Sequence, residues 1–402
     1  MAAIETAKPG ISRQAIMTGI VTALVGYGSS VTVVVNGLNA VGATTEQAAS
    51  SLLAMGVTMG ITAIVLSLVH RMPISIAWST PGAALLATTG PIAGGFAAAE
   101  GAFAVAGLLV VVAGLWRPIG RLVGAIPASL ANALLGGILL NLCLAPFHAL
   151  ADMPLLAFPV ILTWLVVGRF ARLYALPATA IVALALLGFD VGGAGSHGLA
   201  QAGLWPGLVL TPPTLSWGGL VGIAVPLFVV TMASQNVPGL AVLATFGFRP
   251  PPRPIFLLTG LASLATAPVG ALTVNLAAVT AALCAGPDAD PRPERRAAAA
   301  VTAGLCYLLL GLLSAAAAAL VATAPPLLIE AVAGLALLGA FGASVSAALK
   351  DDGDREAALV TFLLTASSLS FFGIGSAFWG LLGGLAVLGL RRLDFGRIGP
   401  GS

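Results

Sequence analysis

The sequence predicts an all-α polytopic membrane protein of 14 transmembrane segments, arranged as two inverted halves of seven. Three observations carry that prediction. First, the chain of 402 residues is 59% hydrophobic and only 8% charged, with a mean hydropathy of +1.06. A soluble domain carries about 25% charge, so this chain could not cover a water-exposed surface. Second, its 17 Lys and Arg fall into eight clusters: Lys8/Arg13, Arg71, Arg117/Arg121, Arg169/Arg172, Arg249/Arg253, Arg292/Arg295/Arg296, Lys350/Arg355 and Arg391/Arg392/Arg397. The seven gaps between them are apolar and run from 35 to 76 residues. Third, proline and polar residues break the apolar runs at corresponding places in the two halves.

Cytoplasmic loops collect Lys and Arg. If every cluster is cytoplasmic, each gap leaves and returns, which gives seven hairpins, 14 spans and both termini inside. A spanning helix needs about 20 apolar residues, so most gaps hold two. The spans expected in order are 14–36, 48–69, 73–90, 95–115, 122–143, 154–168 and 173–189, then 216–238, 254–267, 270–285, 299–322, 327–349, 356–372 and 374–390. The 355–391 gap holds two short spans. The 253–292 gap is too tight for two full helices, so one of its spans is irregular. The long outer segment near 190–215, with Gly192, Gly193, Gly195, His197, Pro206, Pro212 and Pro213, is the seam between halves. Seven spans per half require the second half to enter from the opposite side, the plan of many secondary transporters.

A pI near 9.0 follows from these loop residues and implies no nucleic-acid partner. Cys143, Cys284 and Cys306 lie in or beside apolar spans without a CxxC pair, and read as buried small hydrophobes. His70, His148 and His197 have no metal spacing, so no metal or cofactor is expected.

The sharpest local signal is Ser79-Thr80-Pro81-Gly82 within span three. Ser/Thr before Pro is a helix start, here with Thr80 as the cap of a half-helix, and Ile74–Trp78 before it reads as extended. A helix N-terminus inside a membrane presents unpaired N–H groups and about half a positive charge, which suits an anion without a buried Arg or Lys. Span ten, from Pro268 to Ala282, repeats the design with Asn275 as the cap. Two further polar sets interrupt the first span of each half: Tyr27, Ser29 and Ser30, then Ser234, Gln235 and Asn236 ahead of Pro238-Gly239. Gln and Asn in hydrocarbon are costly unless paired; they serve either as helix–helix glue or as substrate contacts. Glu100 and Glu330 are the acidic residues inside the expected spans, with Asp190 just beyond span seven. An intramembrane carboxylate is a proton-relay candidate, although either could instead reach the outer interface. The run Gly286–Arg296 reads as a solvated, proline-rich turn.

The strings Arg71-Met-Pro-Ile-Ser-Ile-Ala-Trp-Ser-Thr-Pro-Gly-Ala-Ala-Leu85, Gln235-Asn236-Val-Pro-Gly239 and Asn275-Leu-Ala-Ala-Val-Thr-Ala281 through Gly286-Pro287 resemble the benzoate/proton symporter (BenE-type) family. The likeness covers nearly the whole chain. That family is related in fold to uracil and other nucleobase symporters and to sulfate-permease-like carriers. The resemblance implies a core domain from segments 1–4 (residues 1–118) and 8–11 (214–324). It implies a gate domain from segments 5–7 (119–213) and 12–14 (325–402), the expected homodimer surface. Short strands in segments 3 and 10 would cross at mid-membrane with substrate between them. Nucleobase relatives place carboxylates on segments 8 and 10, where this chain has Gln235 or Asn236 and Asn275. Neutral amides suit an anionic ligand that two acids would repel.

The expected function is import of benzoate or a similar aromatic carboxylate with protons across the bacterial inner membrane. The carboxylate would meet Ser79, Thr80, Pro81 and Gly82 and, opposite, Asn275, Leu276 and Ala277. Gln235, Asn236 and Ser30 would add hydrogen bonds, while Tyr27 and Trp78 take the ring. Glu100 or Glu330 would carry the proton, or the substrate would enter with it. The alternatives are a nucleobase or inorganic-anion carrier on the same fold, then a channel, which would need a continuous polar stripe. An enzyme would need a nucleophile–base or metal cluster at one depth, and the sequence offers none.

Overall fold

A computed structural model describes residues 12–28, 30–116, 127–171, 174–190, 206–277, 279–323, 325–367, 369, 371 and 376–392. Ser29, the stretch 191–205 with its glycines and His197, and the basic residues Lys8, Arg117, Arg121, Arg172 and Arg397 lie outside them.

The first apolar run, Arg13–Ala40, is long enough to cross a membrane and divides into α1 (Arg13–Gly28) and α2 (Val31–Ala40). α3 (Thr45–His70) starts in a capping box: Thr44 accepts from the Gln47 N–H and Gln47 accepts from the Thr44 N–H. This reciprocal pairing satisfies two orphan donors of the first turn. Strand β1 (Ile76–Trp78), α4 (Thr80–Thr89) and α5 (Gly95–Leu115) follow. Next come α6 (Ala128–Asp152), α7 (Pro154–Phe170) and α8 (Ala175–Asp190).

The second part opens with α9 (Trp217–Ala244), interrupted by wide π-turns at Leu220–Ala224 and Met232–Asn236. Then come α10 (Pro252–Thr266), strand β2 (Val274–Leu276) and the short α11 (Val279–Ala285). The series closes with α12 (Ala297–Leu312), α13 (Ser314–Thr323), α14 (Pro326–Ala348), α15 (Arg355–Ala366) and α16 (Ser376–Arg392). Among the described residues, seven helices are long and apolar enough to cross a membrane. The chain is therefore a mostly helical, multi-pass membrane protein.

Two packing groups stand out. α3 lies along α12, α5 along α10, α1 along α12 and α2 along α4. α6 lies along α14 and α15, and α7 along α8. Small residues set the close contacts, as expected where lipid removes the hydrophobic drive between helices. A Cβ on Gly56 would stand 2.7 Å from the Gly311 Cα, and one on Gly60 would stand 2.6 Å from the Gly304 carbonyl oxygen. The α3–α12 seam therefore tolerates no larger side chain at these two places.

The turn Gly286–Arg296 has the solvated face expected, with Pro287, Asp288 and Pro291 through Glu294 exposed, and is anchored from within. Arg296 is buried and donates to the carbonyls of Asp290 (2.7 Å) and Ala285 (2.8 Å). Gln14 of α1 donates to the Asp288 carbonyl at 3.0 Å. A guanidinium that satisfies several carbonyls at once explains why a run this rich in proline and charge packs closed.

Candidate functional site

Strands β1 and β2 pair antiparallel, with Ile76 opposite Leu276, Ala77 opposite Asn275 and Trp78 opposite Val274. The ladder extends one pair each way: the Ser79 N–H donates to the Thr273 carbonyl and the Ala277 N–H to the Ser75 carbonyl, both at 3.0 Å. In this register the N–H groups of Val274 and Leu276 point away from β1. A two-stranded ribbon in a dry interior must satisfy such edges. Side chains do so here: Ser263 Oγ accepts from Val274 at 2.9 Å and Asn236 Oδ1 accepts from Leu276 at 3.0 Å. The entry to β1 is held likewise, with the Ser67 hydroxyl bridging the Ile74 N–H and carbonyl.

The ribbon delivers the chain to the start of α4. Ser79 is the N-cap, its Oγ accepting from the Gly82 N–H at 3.2 Å. Ser79 also bonds the Thr231 hydroxyl at 2.7 Å and is fully buried. The expectation of Thr80 as cap is thus corrected by one residue. Ser79 is the last ladder residue, so its side chain, not that of Thr80, faces back over the first turn. Thr80 takes the first helical position, and its half-buried side chain turns to a cavity instead.

Asn275 is corrected too. It sits inside β2, opposite Ala77, four residues ahead of the first described turn of α11, and does not cap it. With its amide oriented to satisfy both ends, its oxygen accepts from the Ser79 N–H at 3.1 Å and its nitrogen donates to the Leu276 carbonyl at 3.0 Å. Asn275 thus ties β2 to the start of the opposite half-helix.

The cavity beside this crossing has a volume of about 230 Å³. Its walls are Val25, Gly26, Ser30, Ala77, Trp78, Thr80, Pro81, Gln235, Ala277 and Thr280 on one side, and Leu139, Ala336, Leu337 and Ala340 on the other. None of these residues is charged. Trp78 donates from Nε1 to Ser30 Oγ at 2.8 Å, and Ser30 donates to the Gly26 carbonyl at 2.6 Å. That chain fixes the indole across the helix break between α1 and α2. Tyr27 packs on the indole with ring centroids 5.0 Å apart and planes at 50°, so it supports Trp78 from behind.

Of the residues singled out from sequence, Ser30, Trp78, Thr80, Pro81, Gln235 and Ala277 line the cavity. Tyr27, Ser79, Gly82, Asn236, Asn275 and Leu276 form its frame. Thr280, bonded to Ser75 at 2.8 Å, was missed. Its place one turn after β2, much as Thr80 follows β1, was the available signal. Leu139, Ala336, Leu337 and Ala340 left no signal, because apolar residues on apolar helices look alike.

Neither acidic candidate reaches the cavity. Glu100, in the second turn of α5, is fully buried. Thr211 is the polar side chain that approaches it, yet neither carboxylate oxygen has a donor in hydrogen-bonding geometry among the described residues. Glu100 is therefore enclosed by protein rather than exposed at the surface. Glu330, on α14, is half-buried.

A helical membrane bundle with two strand-broken segments crossing beside a cavity that no charged residue lines has the architecture of a carrier. The comparisons with known proteins agree. Residues 10–390 match the family described as benzoate membrane transport protein, and the chain belongs to that family. The chain is 39% identical over 369 residues to the inner membrane protein YdcO of Escherichia coli, covering 92% of this chain and 93% of that one. It is 32% identical over 382 residues to the benzoate membrane transport protein of Acinetobacter baylyi, covering 95% and 96%. Among solved structures, the transmembrane domain of the cyanobacterial bicarbonate transporter BicA aligns with a TM-score of 0.56 at 13% identity, covering 93% of this chain and 97% of that one. SLC26A9 aligns at 0.54 and 13% identity, covering 94% of this chain and 65% of the longer one. At that identity the likeness concerns the fold alone.

Proposed function

We propose that the protein imports benzoate or a similar aromatic carboxylate together with protons, by alternating access, across a bacterial inner membrane. The carrying observation is the cavity at the strand crossing. Drug-sized ligands occupy about 300–1,000 Å³, so a space of about 230 Å³ suits a single-ring molecule. Trp78, Pro81, Leu139 and Leu337 offer apolar surface for a ring. Thr80, Gln235 and Thr280 offer donors, and the N-terminus of α4 supplies a partial positive charge where Thr80 and Pro81 meet the cavity. A membrane-embedded anion site without Lys or Arg binds without trapping.

On this reading the chain forms 14 segments in two inverted halves with cytoplasmic termini. α1–α5 with α9–α13 make the core and α6–α8 with α14–α16 the gate. The cavity walls support that division, since they come from both groups of helices. Glu100 is the better placed proton carrier, being fully buried where Glu330 is half-buried.

Uptake of labelled benzoate into proteoliposomes, with and without an inward proton gradient, tests the proposal. Gradient-dependent accumulation is expected. Glu100→Gln should keep benzoate exchange but lose accumulation. Equal uptake with and without the gradient would remove proton coupling, and no benzoate uptake at all would remove the substrate.

A further inference from the structure

A second and larger cavity lies on the surface of the bundle and shares no lining residue with the one at the strand crossing. It is an open groove of about 670 Å³ where the end of α3 meets the starts of α1 and α12. Its walls are apolar: Ile16 from α1, Leu68 from α3, Val301 and Leu305 from α12. Leu68 is 60% exposed and Leu305 51%, so these walls face the surroundings of the protein rather than its core.

Two guanidiniums stand at the mouth, Arg71 and Arg295. Neither is ion-paired among the described residues, whose only ion pairs are Arg355–Asp352 and Arg391–Glu356. Glu294 shares the rim without pairing to either. Net positive charge above an apolar slot is complementary to an amphiphile with an anionic head.

The backbone adds an independent observation. Arg71 ends α3 in the left-handed conformation, φ 53°, ψ 38°, the only non-glycine residue with positive φ among those described. Helices commonly end this way, but on glycine, which carries no steric penalty there. Placing arginine at that position costs stability. A side chain kept against such a cost points to a use for it outside the fold.

We propose that this groove is a binding site for an anionic phospholipid, with one acyl chain along Ile16, Leu68, Val301 and Leu305 and the headgroup phosphate between Arg71 and Arg295. Basic pockets between membrane helices at the headgroup level recognise lipids in this way, and guanidinium forks match phosphate geometry. The site is separate from the transport cavity and stands whether or not benzoate is the substrate.

The test compares the full-length protein in nanodiscs and in detergent, by native mass spectrometry and thermal unfolding, with phosphatidylglycerol, with phosphatidylcholine, and with inorganic phosphate alone. Two guanidiniums should favour phosphatidylglycerol by roughly 30-fold in occupancy, with a matching rise in apparent Tm. Arg71→Gly relieves the left-handed backbone and so should fold at least as well as the parent. Combined with Arg295→Gln it should erase the preference while leaving phosphatidylcholine retention unchanged. An undiminished preference in the double variant would overturn the site. So would equal retention of both lipids by the parent, or a Tm rise with inorganic phosphate alone that matches the lipid, which would leave a free-anion site.

Discussion

Replacing Ser79 by alanine removes two bonds from the start of α4. The cap to the Gly82 N–H is lost (3.2 Å), and the buried Thr231 hydroxyl loses its partner at 2.7 Å. A lost N-cap costs about 0.5–2 kcal/mol, and an orphaned buried hydroxyl about 1–3 kcal/mol. The two share one oxygen and do not add fully, so a net loss of about 2–4 kcal/mol is expected. Thr80→Val, one residue on, should behave differently. It keeps the shape, leaves the Ser79 cap in place, and should move stability by about 0.5 kcal/mol or less. Its effect should fall on the ligand, because the Thr80 hydroxyl faces the cavity. One lost hydrogen bond to a charged group is worth about 1.5–3 kcal/mol, or roughly 10- to 150-fold in benzoate affinity. Apparent Tm in detergent and equilibrium binding of benzoate and benzamide read the two effects separately. Ser79→Ala should lower Tm and weaken benzoate more than benzamide, since a frayed helix start loses the concentrated positive end that an anion needs. If Thr80→Val lowers Tm as much as Ser79→Ala does, the cap has been misassigned. If neither variant changes benzoate binding, α4 does not form the site.

Three further outcomes are expected. Gln235→Leu should reduce benzoate affinity by roughly 10- to 150-fold. Asn236→Leu should chiefly cost stability, about 1–3 kcal/mol for the buried Leu276 N–H it orphans, so binding and Tm measured on both variants separate ligand from frame. Asp290 is held below the usual carboxylate range by the Ser12 hydroxyl, then by the Arg292 N–H and the nearby Arg292 and Arg295 charges. Its folded value is depressed, so its contribution to stability is present above the unfolded carboxylate pKa and fades as pH falls through the folded one. The acid slope of Tm should accordingly be shallower in Asp290→Asn, and an unchanged slope would discard this linkage. Single-cysteine labels at Pro213 should react with impermeant reagents from outside and labels beside Arg253 should not; the reverse pattern would invert the proposed topology.

Much of the membrane architecture was legible because lipid imposes length and charge rules that survive in composition. The 35-to-76-residue gaps free of Lys and Arg announced long apolar segments without any knowledge of packing, and seven described helices are long and apolar enough to cross a membrane. The site was legible where a residue violates its surroundings. Trp78, Thr80, Pro81 and Gln235 stand out inside apolar runs, and all four line the cavity. Position by one residue was not legible, because whether Ser79 or Thr80 caps α4 depends on which side of the ribbon each side chain takes. The wall supplied by α6 and α14 was not legible at all. Leu139 and Leu337 acquire their role only when α6 packs along α14 and meets the crossing.

The two amides show that a polar residue within hydrocarbon has more than one use. Sequence shows only that Asn236 and Asn275 are polar groups within hydrocarbon, and such groups need partners. A substrate is one partner; an exposed strand edge is another. A ribbon of two strands within a membrane has N–H and carbonyl groups that no neighbouring strand can take. Asn236 takes the Leu276 N–H and Asn275 the Leu276 carbonyl, with Asn275 also sharing the Ser79 N–H that the Thr273 carbonyl accepts, while Gln235 and the two threonines stand at the cavity wall. The division has a mechanical consequence for the proposed carrier. Asn275 joins β2 to the first residue before α4, so the two halves of the crossing are locked in one register by side chain as well as by ladder. A substrate held against α4 would then move with both strands as one body, while the apolar wall of Leu139, Ala336, Leu337 and Ala340, which offers only van der Waals contact, is the side free to slide.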